Sequence, residues 1–484
     1  MAKGRSISNG MFWKLLERFG VAGIQFVLQI ILARLLSPEH YGILSIMLVF
    51  VNLANVFVQT GFNTALIQNK DVTKRDYSSV FWASLGIAGG MYAIIFFTAP
   101  LIGTFYEMPD LVLPLRIIAL MLFPGALNSV QLAKVSRDMD FKKVFLGNVG
   151  GMLIAGITGV VIAYLGGGLW ALVAQQLINT LVACLVMRFI SKLKIRFVFD
   201  FTRVRVLFAF GWKLLVSGLL DTLYQDIRSL VIGKKYDGET LGYYNRGKHF
   251  PQFIMNAVNG AVQSVMLPAM SAKQDDKAEI KRLTRSSLSL GSYIIFPLMA
   301  GLAAVSTPFI TLLLTEKWLP CVPYLMIYCV TMAFYPVHSC NLQAINAQGR
   351  SDLFLILEII KKTIGISALA IAVFCFDSPI AIAMTGIVTT VTSFFINAFP
   401  NKKLLGYTYL EQIRDLLPAV LLSAVMFAAV YALTWIGLSD WLTLLIQVPV
   451  GILLYVGLSA LFRIKNFKFI CKLIRQKVIG KIKK

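Results

Sequence analysis

The sequence predicts an all-α integral membrane protein with about fourteen transmembrane helices. Of its 484 residues, 57% are hydrophobic and only 14% are charged, whereas about a quarter of the residues in a soluble domain are charged. Apolar stretches near the roughly 20 residues that span a bilayer recur along most of the chain. These stretches lie at roughly 11–36, 41–63, 80–104, 111–133, 144–165, 168–190, 207–233, 242–270, 286–314, 320–347, 353–376, 379–399, 416–437 and 441–462.

The basic residues of the connecting loops support this count, because basic-rich and basic-poor loops alternate. Cytoplasmic loops carry the excess of Lys and Arg. The loops on the side of the termini are rich in both residues, whereas the opposite loops contain only Arg34, Lys234, Lys235 and Lys317. We therefore expect a multi-pass inner-membrane protein with both termini in the cytoplasm. The net charge of +23 then reflects topology, and we expect no nucleic-acid partner.

A short internal repeat predicts two lobes of six helices. The tetrapeptide Trp-Lys-Leu-Leu begins at Trp13 and again at Trp212, and Tyr41-Gly42 is echoed by Leu241-Gly242. Six helices separate the copies, so the lobes would be related by a parallel pseudo-twofold axis. The predicted parts are the N-lobe with its basic linker (1–205), the C-lobe (206–400), two extra helices (401–462) and a basic tail (463–484).

The tail has two interpretations. Phe467, Ile470, Ile474 and Val478 recur at helical spacing among lysines and arginines, which is typical of an amphipathic helix drawn to anionic lipid headgroups. A frayed basic tail that only fixes the topology accounts for the same residues.

Charged and amide side chains inside the predicted spans mark the candidate site, because an ionisable group at bilayer depth is costly unless it faces a cavity or a partner. Helices one and seven each present such a face, which predicts a hydrated and mainly basic cavity for an anionic substrate. The candidate substrate-binding residues are Arg18, Arg246, Lys248, Lys14, Lys213, Gln25, Gln29 and Gln225. The candidates for ion coupling or ion pairing are Asp221, Asp226, Arg228 and Glu358. Snorkelling to the interface or local pairing would explain several of these residues equally well.

The sequence shows no motif for ATP binding, no His/Cys/Asp cluster at metal-ligand spacing and no Ser-His-Asp arrangement. It has no Gly-x-x-x-x-Gly-Lys-Ser/Thr loop for phosphate binding, and its six cysteines include no Cys-x-x-Cys pair. The predicted outer loops are too short for an external active site. We therefore expect a transporter without cofactor or metal, and not an enzyme.

Three segments resemble the Wzx-type polysaccharide flippases, closest to the colanic-acid-exporter type, of the multidrug/oligosaccharidyl-lipid/polysaccharide exporter superfamily. They are Leu32 to Gly42 after the first helix, Leu241 to Arg246 at the matching place, and Leu267 to Ser271. The resemblance implies flipping of undecaprenyl-pyrophosphate-linked oligosaccharides to the periplasmic leaflet for capsule, exopolysaccharide or O-antigen synthesis. It also implies that cations of the spans meet the pyrophosphate and that polymerase and glycosyltransferases work alongside. The glycan and any coupling to H⁺ or Na⁺ stay open.

Two other functions fit a membrane protein of this composition. A drug or cation antiporter of the same superfamily would favour acidic side chains in its cavity, whereas cations predominate in these spans. A membrane-embedded polysaccharide polymerase or ligase would need a sizeable outer loop with catalytic Arg or His, and the sequence shows no such loop.

Overall fold

The computed structural model describes residues 20–59, 62–68, 72–137, 141–191, 193, 195–271, 273 and 276–482. Helices account for nearly all of these residues, and no strand occurs among them. The predicted all-α membrane class is therefore confirmed. The contacts divide the chain into two compact units, Met1–Gly242 and Tyr243–Lys484. This division does not test the predicted lobe boundary at 205/206 or the pseudo-twofold repeat, which stay predictions.

The first unit is a bundle of helices joined by short turns. Within it, α9 bends by 55° between Ala209 and Gly211. The helices are α1 (Gly20–Leu35), α2 (Pro38–Gln59), α3 (Phe62–Gln68), α4 (Lys74–Tyr106), α5 (Val112–Ile118), α6 (Leu122–Arg137), α7 (Phe141–Tyr164), α8 (Leu169–Ser191), α9 (Phe201–Lys235) and the beginning of α10 (Gly238–Ser271).

The second unit contains the rest of α10 and nine further helices. A short 3₁₀ segment, Glu316–Cys321, precedes α13. The helices are α11 (Lys277–Ala304), α12 (Ser306–Leu314), α13 (Val322–Ala333), α14 (Tyr335–Ala347), α15 (Ser351–Cys375), α16 (Pro379–Leu405), α17 (Tyr409–Ala432), α18 (Asp440–Leu461) and α19 (Lys465–Ile482).

Ten helical stretches of the described chain are long and apolar enough to cross a membrane, and the bent α9 makes an eleventh. Helices α10 and α15 cover two more predicted spans but carry charges in their interior, such as Lys248 and Lys361. The described part of α1 is short, because it begins at Gly20. A multi-pass membrane protein is confirmed, and the count of fourteen spans stays a prediction.

The basic-rich loops of the first unit meet at one end of its bundle. Arg203 forms a two-pronged ion pair with Asp76, with both N–O distances at 2.9 Å. The Lys134 ammonium donates to the Ser191 carbonyl at 2.9 Å, and Arg137 donates to the Leu66 carbonyl at 2.8 Å. These contacts bring the loops together at one end of the bundle. The alternation of basic residues assigns the same loops to one side of the membrane. Which side is cytoplasmic stays a prediction.

The Asp76–Arg203 pair provides a test of how this end is held together. The Asp76 side chain is only 2% exposed, and it also closes a capping box with Thr73 at the start of α4. We expect Asp76→Asn to lower the free energy of unfolding by about 1–3 kcal/mol, because charged hydrogen bonds are lost at a buried position. Thermal unfolding of the purified protein in detergent measures the change.

The matched control is the pair between Lys234 and Glu107 in another loop region of the same unit. Its N–O distance is also 2.9 Å, but the Glu107 side chain is 82% exposed. Exposed ion pairs contribute at most about 1 kcal/mol, so Glu107→Gln should change the melting temperature little. Equal effects of the two substitutions would contradict this account.

Polar contacts attach the last helices of the second unit to α11. Lys281 and Arg285 pair with Glu411 and Asp415 of α17 at 3.0 and 2.6 Å. In the loop before α17, burial raises the pKa of Tyr407 far above its usual range. The protonated phenol therefore donates to Asp415 at 2.9 Å.

The tail forms a helix, α19, whose first residues pack against other helices of the second unit. The Asn466 amide donates to the Ser289 carbonyl at 3.1 Å, and Phe467 and Ile470 pack against a buried apolar cluster that contains Met426. The beginning of the predicted apolar stripe therefore contacts protein. The side chain of Lys468 is exposed, and binding of the tail to anionic lipid stays a prediction.

Candidate functional site

A cavity of about 410 Å³ lies between α2 and α9 in the first unit. Six of its seven lining side chains are polar, in a chain that is mostly apolar. They come from one face of each helix, at spacings of three and four residues. The lining residues are Asn52, Asn55, Val56, Gln59, Thr222, Gln225 and Asp226.

The cavity lies at the depth of the membrane interior. Asn52 is roughly 21 Å along α2 from Pro38, and Asp226 is roughly 14 Å along α9 from Lys235, at 1.5 Å per residue. The hydrocarbon core of a bilayer is about 30 Å thick, so both residues are far from either surface. Polar groups at this depth need hydrogen-bond partners such as other side chains, water or a polar ligand.

Two amides of α2 are held side by side on the cavity wall. The Gln59 amide nitrogen donates to the Asn55 side-chain oxygen at 3.0 Å. Gly125 of α6 backs this pair, since a Cβ at that position would lie 3.2 Å from the Gln59 nitrogen. This bond uses one N–H of Gln59 and the side-chain oxygen of Asn55. The Asn55 side-chain nitrogen and the Gln59 side-chain oxygen can therefore still bond a ligand.

Only part of the polar face predicted on α9 lines this cavity. Gln225 and the half-buried Asp226 line the cavity, whereas Asp221 and Arg228 do not. Asp221 is exposed, and the Arg228 guanidinium lies 6.0 Å from the centre of the Tyr224 ring. The structure therefore brings together Gln225 and Asp226 among the predicted residues of α9.

Gln25 and Gln29 of α1 line a second, smaller cavity. Its volume is about 40 Å³, and it lies between α1, α7 and α8 with Gln175, Gln176 and Asn179. A cavity needs about 10–15 Å³ of volume on this measure to hold one water molecule, so this one has room for a few waters. A role of Gln25 and Gln29 in substrate binding stays a prediction.

The predicted cations occupy different environments. Lys14 and Arg18 fall outside the described residues, and Lys213 is exposed on α9. No Lys or Arg is among the described residues that line the 410 Å³ cavity. The basic character predicted for the substrate site is therefore not a property of this lining.

In the second unit, Arg246 is 3% exposed, and its guanidinium lies 5.0 Å from the centre of the buried Trp318 ring. Lys248 is half-buried on the same helix. Glu358 forms an ion pair with Lys361 one turn further along α15. Across the part of the chain that the structure describes, no group of three His, Cys, Asp or Glu side chains is placed to hold a metal ion.

The sequence analysis missed the three amides of α2. Asn52, Asn55 and Gln59 lie within the apolar stretch predicted at 41–63 and were not singled out there. Their signal was available, because spacings of three and four residues place them on one helical face.

The family is shown by comparison with known proteins. A family model described as "Polysaccharide biosynthesis protein" matches residues 31–323, which is more than half of the chain. The chain belongs to this family. The predicted resemblance to Wzx-type flippases is confirmed by that match and by the similarity to the relatives described next.

Two relatives and one solved structure illustrate the similarity. The succinoglycan biosynthesis transport protein ExoT of Rhizobium meliloti (strain 1021) is 26% identical over 314 residues, 65% of this chain and 64% of the relative. That match spans slightly less than two thirds of ExoT. The lipopolysaccharide biosynthesis protein WzxC of Escherichia coli (strain K12) is 23% identical over 430 residues, 88% of this chain and 87% of the relative. The structure titled lipid II flippase MurJ, inward closed conformation, shares the fold with a TM-score of 0.75 at 18% identity, covering 93% of this chain and 98% of that one.

Proposed function

We propose that this member of the polysaccharide biosynthesis protein family is a flippase for lipid-linked oligosaccharide repeat units. It moves them by alternating access from the cytoplasmic to the periplasmic leaflet of the bacterial inner membrane, for surface polysaccharide synthesis. The observation that carries the proposal is the amide-lined cavity of about 410 Å³ at membrane depth. The similarity to ExoT, a transport protein, to WzxC, a lipopolysaccharide biosynthesis protein, and to MurJ, a flippase, supports it.

The chemistry of the cavity suits a sugar. Each sugar hydroxyl donates and accepts hydrogen bonds, and so does each amide side chain. The volume lies in the range of about 300–1,000 Å³ that is usual for small-molecule sites. A sugar headgroup cannot cross about 30 Å of hydrocarbon without such partners, whereas its polyprenyl chain can stay in the lipid.

The diphosphate of the carrier needs cations, and we assign that role to the cations that the sequence analysis singled out. Arginine binds phosphate with two parallel hydrogen bonds, and lysine binds it as a point charge. The candidates in the first half of the sequence are Arg18 and Lys14, which precede Gly20 in the chain, and Lys213 of α9 follows them. Arg246 and Lys248 are candidates on α10, although the Arg246 guanidinium would have to leave the Trp318 ring to reach a substrate.

Deletion of the gene, followed by analysis of lipid-linked glycans, tests the function. We expect cells without surface polysaccharide that accumulate completed repeat units on the inner leaflet, and restoration by a plasmid copy. Repeat units stranded on the outer leaflet would indicate a polymerase or ligase instead. Normal surface polysaccharide with increased drug sensitivity would indicate an antiporter.

A further inference from the structure

Arg116 of α5 is a cation within a membrane span that the proposed function does not use. Its Nε donates to the Phe96 carbonyl of α4 at 3.0 Å, and its guanidinium carbon lies 4.2 Å from the centre of the Phe96 ring. Phe96 comes four residues before Pro100, which lies inside α4. Proline has no backbone N–H, so the Phe96 carbonyl lacks its helical donor. Arg116 supplies a donor in its place, as a neighbouring side chain must where a backbone group is unpaired in hydrocarbon.

These two contacts hold the guanidinium in place but use only one of its nitrogens. Arginine also carries N–H groups on its two terminal nitrogens. Within the part of the chain that the structure describes, the only acceptor bonded to Arg116 is the Phe96 carbonyl, which bonds Nε. The side chain is partly exposed, so another molecule can reach the terminal nitrogens.

The side of α5 that carries Arg116 is accessible to lipid. Leu113, three residues before Arg116, is 57% exposed, and Leu120, four residues after it, is 38% exposed. Residues at these spacings share a helical face. All three belong to the membrane-spanning stretch Pro109–Arg137, in which exposed apolar side chains are solvated by lipid. A lipid molecule can therefore contact Arg116 from this face.

The guanidinium also lies close to the level of the lipid headgroups. Helix α4 has 33 residues, which gives it a length of roughly 50 Å, whereas the hydrocarbon core is about 30 Å thick. With the excess divided between the two surfaces, each end of α4 extends roughly 10 Å beyond the hydrocarbon. Phe96 is roughly 15 Å along α4 from Tyr106, and so roughly 5 Å inside this boundary. Long basic side chains reach from such a depth to the headgroups.

We propose that Arg116 binds the phosphate group of a lipid on the exposed face of α4 and α5, in the leaflet opposite the basic-rich loops. Arginine binds phosphate with two parallel N–H···O bonds, and its terminal nitrogens provide these donors. A cation next to hydrocarbon is costly without a partner, and a phosphate removes that cost. Phe96 and Pro100 are positioning residues, because the ring and the unpaired carbonyl fix the orientation of the guanidinium.

Two kinds of lipid present this chemistry. Glycerophospholipids carry a phosphate, and the polyprenyl carrier of the proposed function carries a diphosphate. The first source is independent of the proposed function. The second rests on it, because the carrier reaches this leaflet only after it has been flipped. The ligand that both sources share is a phosphate ester at the level of the headgroups.

Photo-crosslinking from position 113 tests the proposal in the full-length protein in nanodiscs. The photoreactive residue is Leu113→p-benzoylphenylalanine, one helical turn from Arg116. The nanodiscs contain equal amounts of phosphatidylglycerol and of a glucosyl diacylglycerol that has the same acyl chains but no phosphate, and mass spectrometry identifies the captured lipid. With Arg116 present we expect several-fold more capture of phosphatidylglycerol. With Arg116→Gln we expect equal capture, and with Arg116→Lys an intermediate preference, because lysine binds phosphate only as a point charge.

The matched control carries the same photoreactive residue at Ile157 of α7, which is 64% exposed. Capture from position 157 should not change with Arg116→Gln. Equal capture of the two lipids from position 113 while Arg116 is present would overturn the site. A preference for phosphatidylglycerol that persists in both Arg116 variants would overturn it as well.

Undecaprenyl pyrophosphate, added to the same nanodiscs at a low mole fraction, separates the two sources. Displacement of phosphatidylglycerol from position 113 supports the carrier as the ligand, whereas undiminished capture supports an ordinary phospholipid. The nanodisc measurement includes no flipping step. A deletion strain that contradicts the proposed function would therefore leave the phosphate site standing, and equal capture of the two lipids would leave the proposed function standing.

Discussion

Replacement of both Asn55 and Gln59 by leucine is expected to slow flipping by roughly 100-fold while the protein still reaches the membrane. The two amides form one wall of the 410 Å³ cavity. Each lost amide leaves a sugar hydroxyl without a hydrogen-bond partner on this wall of the cavity, at a cost of about 1–3 kcal/mol. A loss of about 1.4 kcal/mol slows a rate tenfold. Two losses of about that size therefore give the expected 100-fold decrease in the flipping rate. Leucine is of similar volume, so the helices should still pack.

The measurement is the flipping rate in proteoliposomes, together with surface polysaccharide in a complemented deletion strain. The matched control is Asn128→Leu, the same change at a half-buried amide of α6 that does not line the cavity. A double variant that flips as fast as the control would show that the sugar does not use this wall. The family assignment would stand in that case, but the cavity would lose its proposed role.

The membrane class could be predicted from sequence because lipid demands a composition that few soluble proteins have. The helices could be predicted for a related reason. Unpaired backbone groups are too costly in hydrocarbon, and a helix pairs them within one segment. The contacts between Arg203 and Asp76, and between Lys134 and Ser191, agree with the loop alternation. Charge placement therefore carried information about which loops meet.

The site was predictable only in part, because periodicity fixes which residues share a helical face but not which neighbour that face meets. The same reasoning predicted that Gln225 and Gln25 both bind the substrate. The first lines the larger cavity, whereas the second faces α7 and α8 in the smaller one. The spacing of polar residues along one helix cannot distinguish these outcomes, since the partner helices are set by tertiary packing.

Arg246 illustrates a further limit. The sequence analysis predicted it as a substrate-binding cation, but Trp318, distant in sequence, lies against its guanidinium. Cation–π contacts of this kind arise from the tertiary fold. The amides of α2 illustrate the opposite error, because attention to charged residues passed over Asn52 and Asn55, whose neutral groups are the ones that suit a sugar.

Gly42→Ala is expected to separate the beginnings of α2 and α10. A Cβ at Gly42 would lie 1.7 Å from the Gly238 carbonyl oxygen, and a Cβ at Gly242 would lie 2.0 Å from the Pro38 carbonyl oxygen. The opposing atoms are backbone, so no side-chain rotation can relieve the overlap. The two contacts are reciprocal, and they fall on the Tyr41-Gly42 and Leu241-Gly242 pairs that the sequence repeat singled out. Only glycine permits this approach, and a single methyl group must push the helices apart.

An engineered disulfide measures the separation. A Cβ at Gly238 would lie 3.4 Å from the Glu39 Cγ, which places cysteines at positions 39 and 238 within range of a disulfide. In the Glu39→Cys/Gly238→Cys background we expect nearly complete oxidation, seen as loss of labelling by a maleimide reagent. Addition of Gly42→Ala should abolish most of it, whereas Gly90→Ala should not, because nothing lies within 4 Å of a Cβ there. Undiminished oxidation in the Gly42→Ala background would mean that the two helices do not cross through these glycines. The close approach of the two helices would then not depend on the absence of a side chain at Gly42.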